Sequence, residues 1–249
     1  MHYTVSPRRG RAQVGPVLAL VHGAGESLLH WPPELRRLPG ATVYALDLPG
    51  HGKSTGPALR TIEEYAASVW DFLQAQGVER PVLAGHSMGG AIVLACALAH
   101  PQDVAGLILV GTGARLPVSP RLLAGLREDF PATCRRIVGW AYGPLADEAL
   151  RARALEQMLA VDPEVLYNDF VACSQFDVTA RLGEITAPCL VVCGAADKMT
   201  PPALSEELAA GLPNSRLELV PDAGHMLPLE RPARLMALIE DVKRLWTHG

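Results

Sequence analysis

The sequence predicts an α/β protein: a parallel β-sheet covered by helices on both faces and interrupted once by a long helical insertion. Three observations carry this. From residue 17 to 111, short apolar runs closed by Gly or Pro alternate with helical stretches, the pattern of a parallel sheet buried on both faces. Residues from about 115 to 182 hold helical periodicity and prolines but no strand-like run. Strand signals return at 189–193 and 216–220, ahead of an amphipathic C-terminal stretch.

The elements follow in order. Residues 17–21 (VLALV) form a short apolar run stopped by His22-Gly23, a buried strand. Residues 42–46 give the next strand, ended by the turn-rich stretch from Asp47 to Gly52. Thr61 with Glu64 is a capping box, in which each side chain satisfies a backbone N–H of the first helical turn; Gly77 closes that helix. Residues 81–85 make another strand, 91–99 a helix of small residues that ends before Pro101, and 107–110 a further strand. The C-terminal helix is expected over about 232–246.

Bulk properties narrow the function. At 249 residues the chain suits one large domain, and 49% hydrophobic against 19% charged residues supplies a core and excludes a disordered or fibrous protein. The net charge of −4 and the absence of any basic run longer than a pair argue against nucleic acid. No apolar run approaches the roughly 18 residues of a membrane span, and residues 1–11 lack the apolar core of a signal peptide. Five cysteines in apolar stretches, at no metal-like spacing, are expected to be reduced core thiols, which points to a cytoplasmic protein. Oligomeric state is not legible.

The chemistry starts at Gly85-His86-Ser87-Met88-Gly89-Gly90, between a predicted strand and a helix. A serine at a sharp strand-to-helix turn has its hydroxyl lifted clear of the backbone, and the turn is so tight that residues two positions either side must be small. The helix that starts there turns its free N–H groups and positive dipole end toward a developing anion. Serine needs a base, and the base needs a third group to orient it. Asp197 lies just past the strand at 189–193 and His225 just past the strand at 216–220, so both belong at the sheet edge where α/β proteins bind ligands. The ordinary alternatives are a helix N-cap for Asp197 and a surface histidine for His225; three such residues in the order Ser, Asp, His outweigh them. His86 is badly placed to serve the adjacent hydroxyl, His51 is a candidate for the pocket wall, and Asp222 reads as a turn former. The strand ending at Gly111 is followed by Thr112-Gly113-Ala114 without an acid, which favours Asp197 as the third member.

An acyl-transfer site also needs two N–H donors for its oxyanion. Met88, next after the serine, supplies one by position. The other is expected from the glycine-rich loop His22-Gly23-Ala24-Gly25, at Ala24.

Together His22-Gly23-Ala24-Gly25, the loop Asp47-Leu48-Pro49-Gly50-His51-Gly52-Lys53-Ser54, the Ser87 turn, Gly194-Ala195-Ala196-Asp197 and Gly224-His225 resemble the α/β-hydrolase family, from about residue 16 to 246. The resemblance implies an eight-stranded, mostly parallel sheet, with a core of residues 1–114 and 183–249 and a helical cap of 115–182. It implies a carboxylesterase-like serine hydrolase: Ser87 attacks an ester carbonyl, His225 is the base, Asp197 orients it, Ala24 and Met88 hold the oxyanion. Neither a metal nor an organic cofactor is needed, and the partner is a small-molecule ester. Two departures stand out. The segment before the first core strand is short, so an abbreviated first hairpin is expected. One Ala replaces the glycine run of some lipases, which suggests esters of primary or secondary alcohols. The apolar cap and Met226-Leu227 beside His225 suggest small to medium apolar acyl chains. C–C bond hydrolysis or acyl transfer by the same triad, a lyase (with Lys198 as candidate) or perhydrolase, and a ligand receptor stay open as alternatives.

Overall fold

The computed structural model describes residues 1–7, 15–243 and 246. Among them, strands β1 (His2–Ser6), β2 (Val17–Val21), β3 (Thr42–Asp47), β4 (Val82–His86), β5 (Gly106–Val110), β6 (Cys189–Gly194) and β7 (Ser215–Val220) form one sheet of order β1-β3-β2-β4-β5-β6-β7. All neighbours run parallel except β1, which pairs antiparallel with β3. The sheet therefore has seven strands among the described residues, one fewer than expected. At the N-terminal edge the single strand β1 docks directly on β3, with Tyr44 opposite Val5, and stands where a hairpin was expected.

Alternation along the strands sorts the core. Ala19, Val21, Leu83, Leu107, Leu109 and Val191 face one side, under α1 (Ile62–Ala75), α2 (Met88–Ala99) and α7 (Pro202–Gly211). Leu18, Leu20, Val82, Ala84, Ile108, Val110 and Val192 face the other, against Trp31, Leu35 and the C-terminal helix α9 (Pro232–Lys243). Every residue of β3, β4, β5 and β6 is buried, which is why those strands read as continuous apolar runs rather than alternating ones. Thr61 caps α1 with both bonds of the expected capping box.

Between β5 and β6 the chain forms α3 (Pro120–Glu128), α4 (Phe130–Ala141), α5 (Glu148–Leu159) and α6 (Pro163–Gln175). Asp or Ser caps each of these helices, and a small apolar cluster of Leu122, Leu126, Ile137, Leu166 and Phe170 holds α3, α4 and α6 together. A four-residue helix, α8 (Leu227–Glu230), precedes α9. All five cysteines are free and buried. No helix among the described residues is long and apolar enough to cross a membrane.

Candidate active site

The C-terminal ends of β4, β6 and β7 bring the three expected residues to one edge. Ser87 opens α2 directly from β4, at φ 54° and ψ −119°, a left-handed conformation that a side-chain-bearing residue rarely adopts. Such strain persists where the surroundings over-determine it. Here they do. A Cβ on Gly85 would stand 2.2 Å from the Gly89 carbonyl oxygen, and one on Gly89 would stand 2.3 Å from the Val21 carbonyl oxygen. The glycines are required because backbone touches backbone, not because of their dihedrals. Gly85→Ala is expected to cost about 2–4 kcal/mol by forcing the first turn of α2 away from β4, a fall of roughly 5–15 °C in Tm by differential scanning calorimetry.

Asp197 is fully hydrogen-bonded. Its Oδ1 accepts from Met199 N–H at 2.8 Å and Thr200 N–H at 2.9 Å; its Oδ2 accepts from the Thr200 hydroxyl at 2.8 Å and from His225 Nδ1 at 2.8 Å. Burial pushes this carboxyl up, but the His225 ring and the Thr200 bonds outweigh it, and the net shift is down. An ionised carboxylate only accepts, so Nδ1 of His225 carries its proton and Nε2 presents a lone pair. His225 and Ser87 line the same cavity. Gly111, at the end of β5, is the floor of the pair: its Cβ would lie 3.3 Å from His225 Nδ1 and 3.4 Å from Asp197 Oδ2. Asp222 stays in its turn, at φ 55° and exposed.

The loop after β2 shows a regular arrangement. Gly23 N–H donates to Glu26 Oε2 at 2.9 Å, and Gly25 N–H donates to Asp169 Oδ2 at 2.8 Å. Between them, Ala24 N–H meets no acceptor among the described residues, and neither does Met88 N–H. Both anchoring carboxylates face a histidine. His86 Nδ1 lies 3.2 Å from Glu26 Oε2 and its Nε2 lies 2.9 Å from the His225 carbonyl. His51 Nε2 lies 2.7 Å from Asp169 Oδ2 and its Nδ1 lies 3.0 Å from the Pro49 carbonyl. Every partner of these two rings is an acceptor, so each ring needs both protons and is an imidazolium. Burial opposes that charge in both, but the facing carboxylate prevails and holds each histidine up. His22 is the opposite case. It receives Leu48 N–H on Nε2 and donates from Nδ1 to the Gly23 carbonyl, and burial, aided by repulsion from His51, lowers it to about 3. A neutral histidine and two charged ones thus fix the loop.

Asp169 and Glu26 escaped the sequence reading. Asp169, fully buried on α6, also takes the Tyr65 hydroxyl on Oδ1 at 2.7 Å. The available signal was an acid beside Leu166, Phe170 and Cys173 on the apolar face of a helix. His51, expected in the pocket wall, lies under Asp169 and lines neither cavity at Ser87. Met226 does line the cavity, but Leu227 is buried in the sheet core, because it opens α8 and points at α9. Lys198 lies in a second, outer cavity that also reaches Ser87.

Known proteins share this architecture. A family model for the alpha/beta hydrolase fold matches residues 16–232. The pimeloyl-[acyl-carrier protein] methyl ester esterase of Aromatoleum aromaticum is 33% identical over 92% of this chain and 98% of its own. The 2-hydroxy-6-oxononadienedioate/2-hydroxy-6-oxononatrienedioate hydrolase of Cupriavidus pinatubonensis is 31% identical over 90% and 85%. The solved thermophilic esterase of Thermogutta terrifontis superposes with a TM-score of 0.87 at 26% identity, covering 99% of this chain and 93% of its own. The chain belongs to the alpha/beta hydrolase family.

Proposed function

We propose that this protein is a serine carboxylic ester hydrolase acting through an acyl-enzyme on Ser87. The observation that carries the reading is the convergence of a strained Ser87 and an Asp197-oriented His225 on one cavity. In this reading Ser87 Oγ attacks the ester carbonyl while Nε2 of His225 takes its proton, and Asp197 stabilises the imidazolium that forms. The tetrahedral oxyanion falls to the two unengaged donors, Ala24 N–H and Met88 N–H. His225 then protonates the departing alcohol, activates water, and the acid is released.

The helices α3 to α6 act as the cap. Their apolar side chains Leu122, Trp140 and Phe170 line the outer cavity beside Ser87, which supports an apolar acyl chain of small to medium length. Hydrolysis of nitrophenyl esters from acetate to decanoate tests this: kcat/KM is expected to peak at an intermediate chain length, and a flat profile would remove the cap from acyl selection. Asp197→Asn places an amide against Nδ1 and favours the wrong tautomer, so kcat on the best of these esters is expected to fall about 10³–10⁴-fold.

A second reading, hydrolysis of a C–C bond beside a carbonyl by the same triad, is supported by the likeness to the 2-hydroxy-6-oxononadienedioate hydrolase. Absence of turnover on every ester would favour it.

A further inference from the structure

Two cavities meet at Ser87, and they differ in the site residues that line them. The outer one has a volume of about 190 Å³ and the inner one about 70 Å³. His225 lines the inner cavity and not the outer. The general acid has to reach the leaving oxygen, so the alcohol side of an ester lies in the inner cavity and the acyl side in the outer.

The inner cavity is lined mostly by apolar side chains, with Glu26, Tyr142, His30 and Gln157 as its polar wall. Glu26 uses Oε2 for Gly23 N–H and His86, while Oε1 meets no donor among the described residues. The carboxylate is ionised: burial works against it, but His86 more than compensates and the net shift is down. Charge on Glu26 is thus already balanced by the His86 imidazolium, which favours a neutral donor over a second cation. Tyr142, His30 and Gln157 share this cavity. Burial first, and then the nearby Glu26 charge, push the Tyr142 phenol up, so it stays a donor. His30 accepts Ser27 N–H on Nδ1 at 3.1 Å, which leaves Nε2 to carry the proton of the neutral ring. One anionic acceptor thus faces two donors and an amide.

We propose that this wall is an alcohol subsite, in which Glu26, Tyr142, His30 and Gln157 bind the free hydroxyls of a polyol leaving group, so that the preferred substrates are apolar acyl monoesters of a glycol or glycerol type. The proposal rests on the serine-esterase reading. Its test compares propyl butyrate with 2,3-dihydroxypropyl butyrate, which share acyl group and carbon count, by pH-stat titration of released acid. The ratio of kcat/KM for the two, taken within one preparation, cancels differences in folded fraction and basal rate. Wild type is expected to prefer the dihydroxy ester about 10- to 100-fold, as hydrogen bonds to buried charged and neutral partners allow. Glu26→Gln and, independently, Tyr142→Phe are expected to bring the ratio down at least several-fold toward one; Tyr142→Phe leaves the Glu26–His86 pair intact. A wild-type ratio near one, or a high ratio unchanged in both variants, would overturn the subsite while leaving the esterase reading in place. Hydrolysis of neither ester, nor of any nitrophenyl ester, would overturn both.

Discussion

Ser87→Ala is expected to lower kcat for nitrophenyl butyrate about 10⁴–10⁶-fold while KM changes little. The substitution removes one oxygen and leaves the unengaged Ala24 and Met88 N–H groups where they are. Residual turnover above the rate in water is therefore expected, because oxyanion donors and binding alone still stabilise the transition state. The turn itself persists in the variant, since it is imposed by the contacts of Gly85 on Gly89 and of Gly89 on Val21 rather than by the serine. Circular dichroism and Tm are expected to match wild type within a few degrees. Retention of a tenth or more of the activity would take the nucleophile's role away from Ser87.

Asp169→Ala carries the largest expected effect on stability. The carboxylate is fully buried and accepts from Gly25 N–H, His51 and the Tyr65 hydroxyl, so its removal leaves three donors without partners, one of them charged. Breaking one side of a buried ion pair costs about 3–5 kcal/mol, which for a chain of this size is roughly 6–20 °C in Tm. Gly25 also carries φ 65° and packs against Leu166 of the same helix, so α6 fixes the loop by both a hydrogen bond and a steric stop. Loosening it displaces Ala24 N–H, and kcat is expected to fall about 10–100-fold, short of the loss of a whole oxyanion donor. Scanning calorimetry and single-turnover kinetics on the folded fraction separate the two effects. Adding His51→Leu is expected to recover part of the lost stability, because the orphaned charge goes with it. The pH dependence has a definite sign. His51 is raised in the folded protein, so the stability it contributes is fully present below its unfolded pKa and is lost as pH rises through the folded value. Wild-type Tm is expected to decline on the alkaline side, and Asp169→Ala to lose that contribution to the decline.

The sequence made the core legible because the physics there is local. No amphipathic signal was needed for β4, β5 and β6: an unbroken apolar run is enough when both faces are covered. Ser87, Asp197 and His225 were legible for a related reason, since each lies shortly past the end of a strand and the strand ends share one edge. The strand β1 was not, because an edge strand reads weakly: of His2–Ser6 only Tyr3 and Val5 pack on the core. Nor was α7, whose signal is two prolines and a sparse apolar face at Leu204 and Leu208. Asp169 lies 144 residues from Gly25, and no periodicity links a helix acid to a loop amide across that distance. Glu26 was hidden differently. It follows directly on the glycine-rich loop already singled out, but its pairing with His86 depends on how β2 and β4 lie side by side.

A covalent bond at Ser87 Oγ is the centre of the proposed mechanism, and a nitrophenyl alkylphosphonate tests it most directly. Wild type is expected to lose activity as it releases one equivalent of nitrophenol, and intact mass spectrometry is expected to show one phosphonyl group, carried by the peptide containing Ser87. Ser87→Ala is expected to take up none. Stoichiometric labelling at another residue, or full esterase activity in the fully phosphonylated protein, would contradict the account.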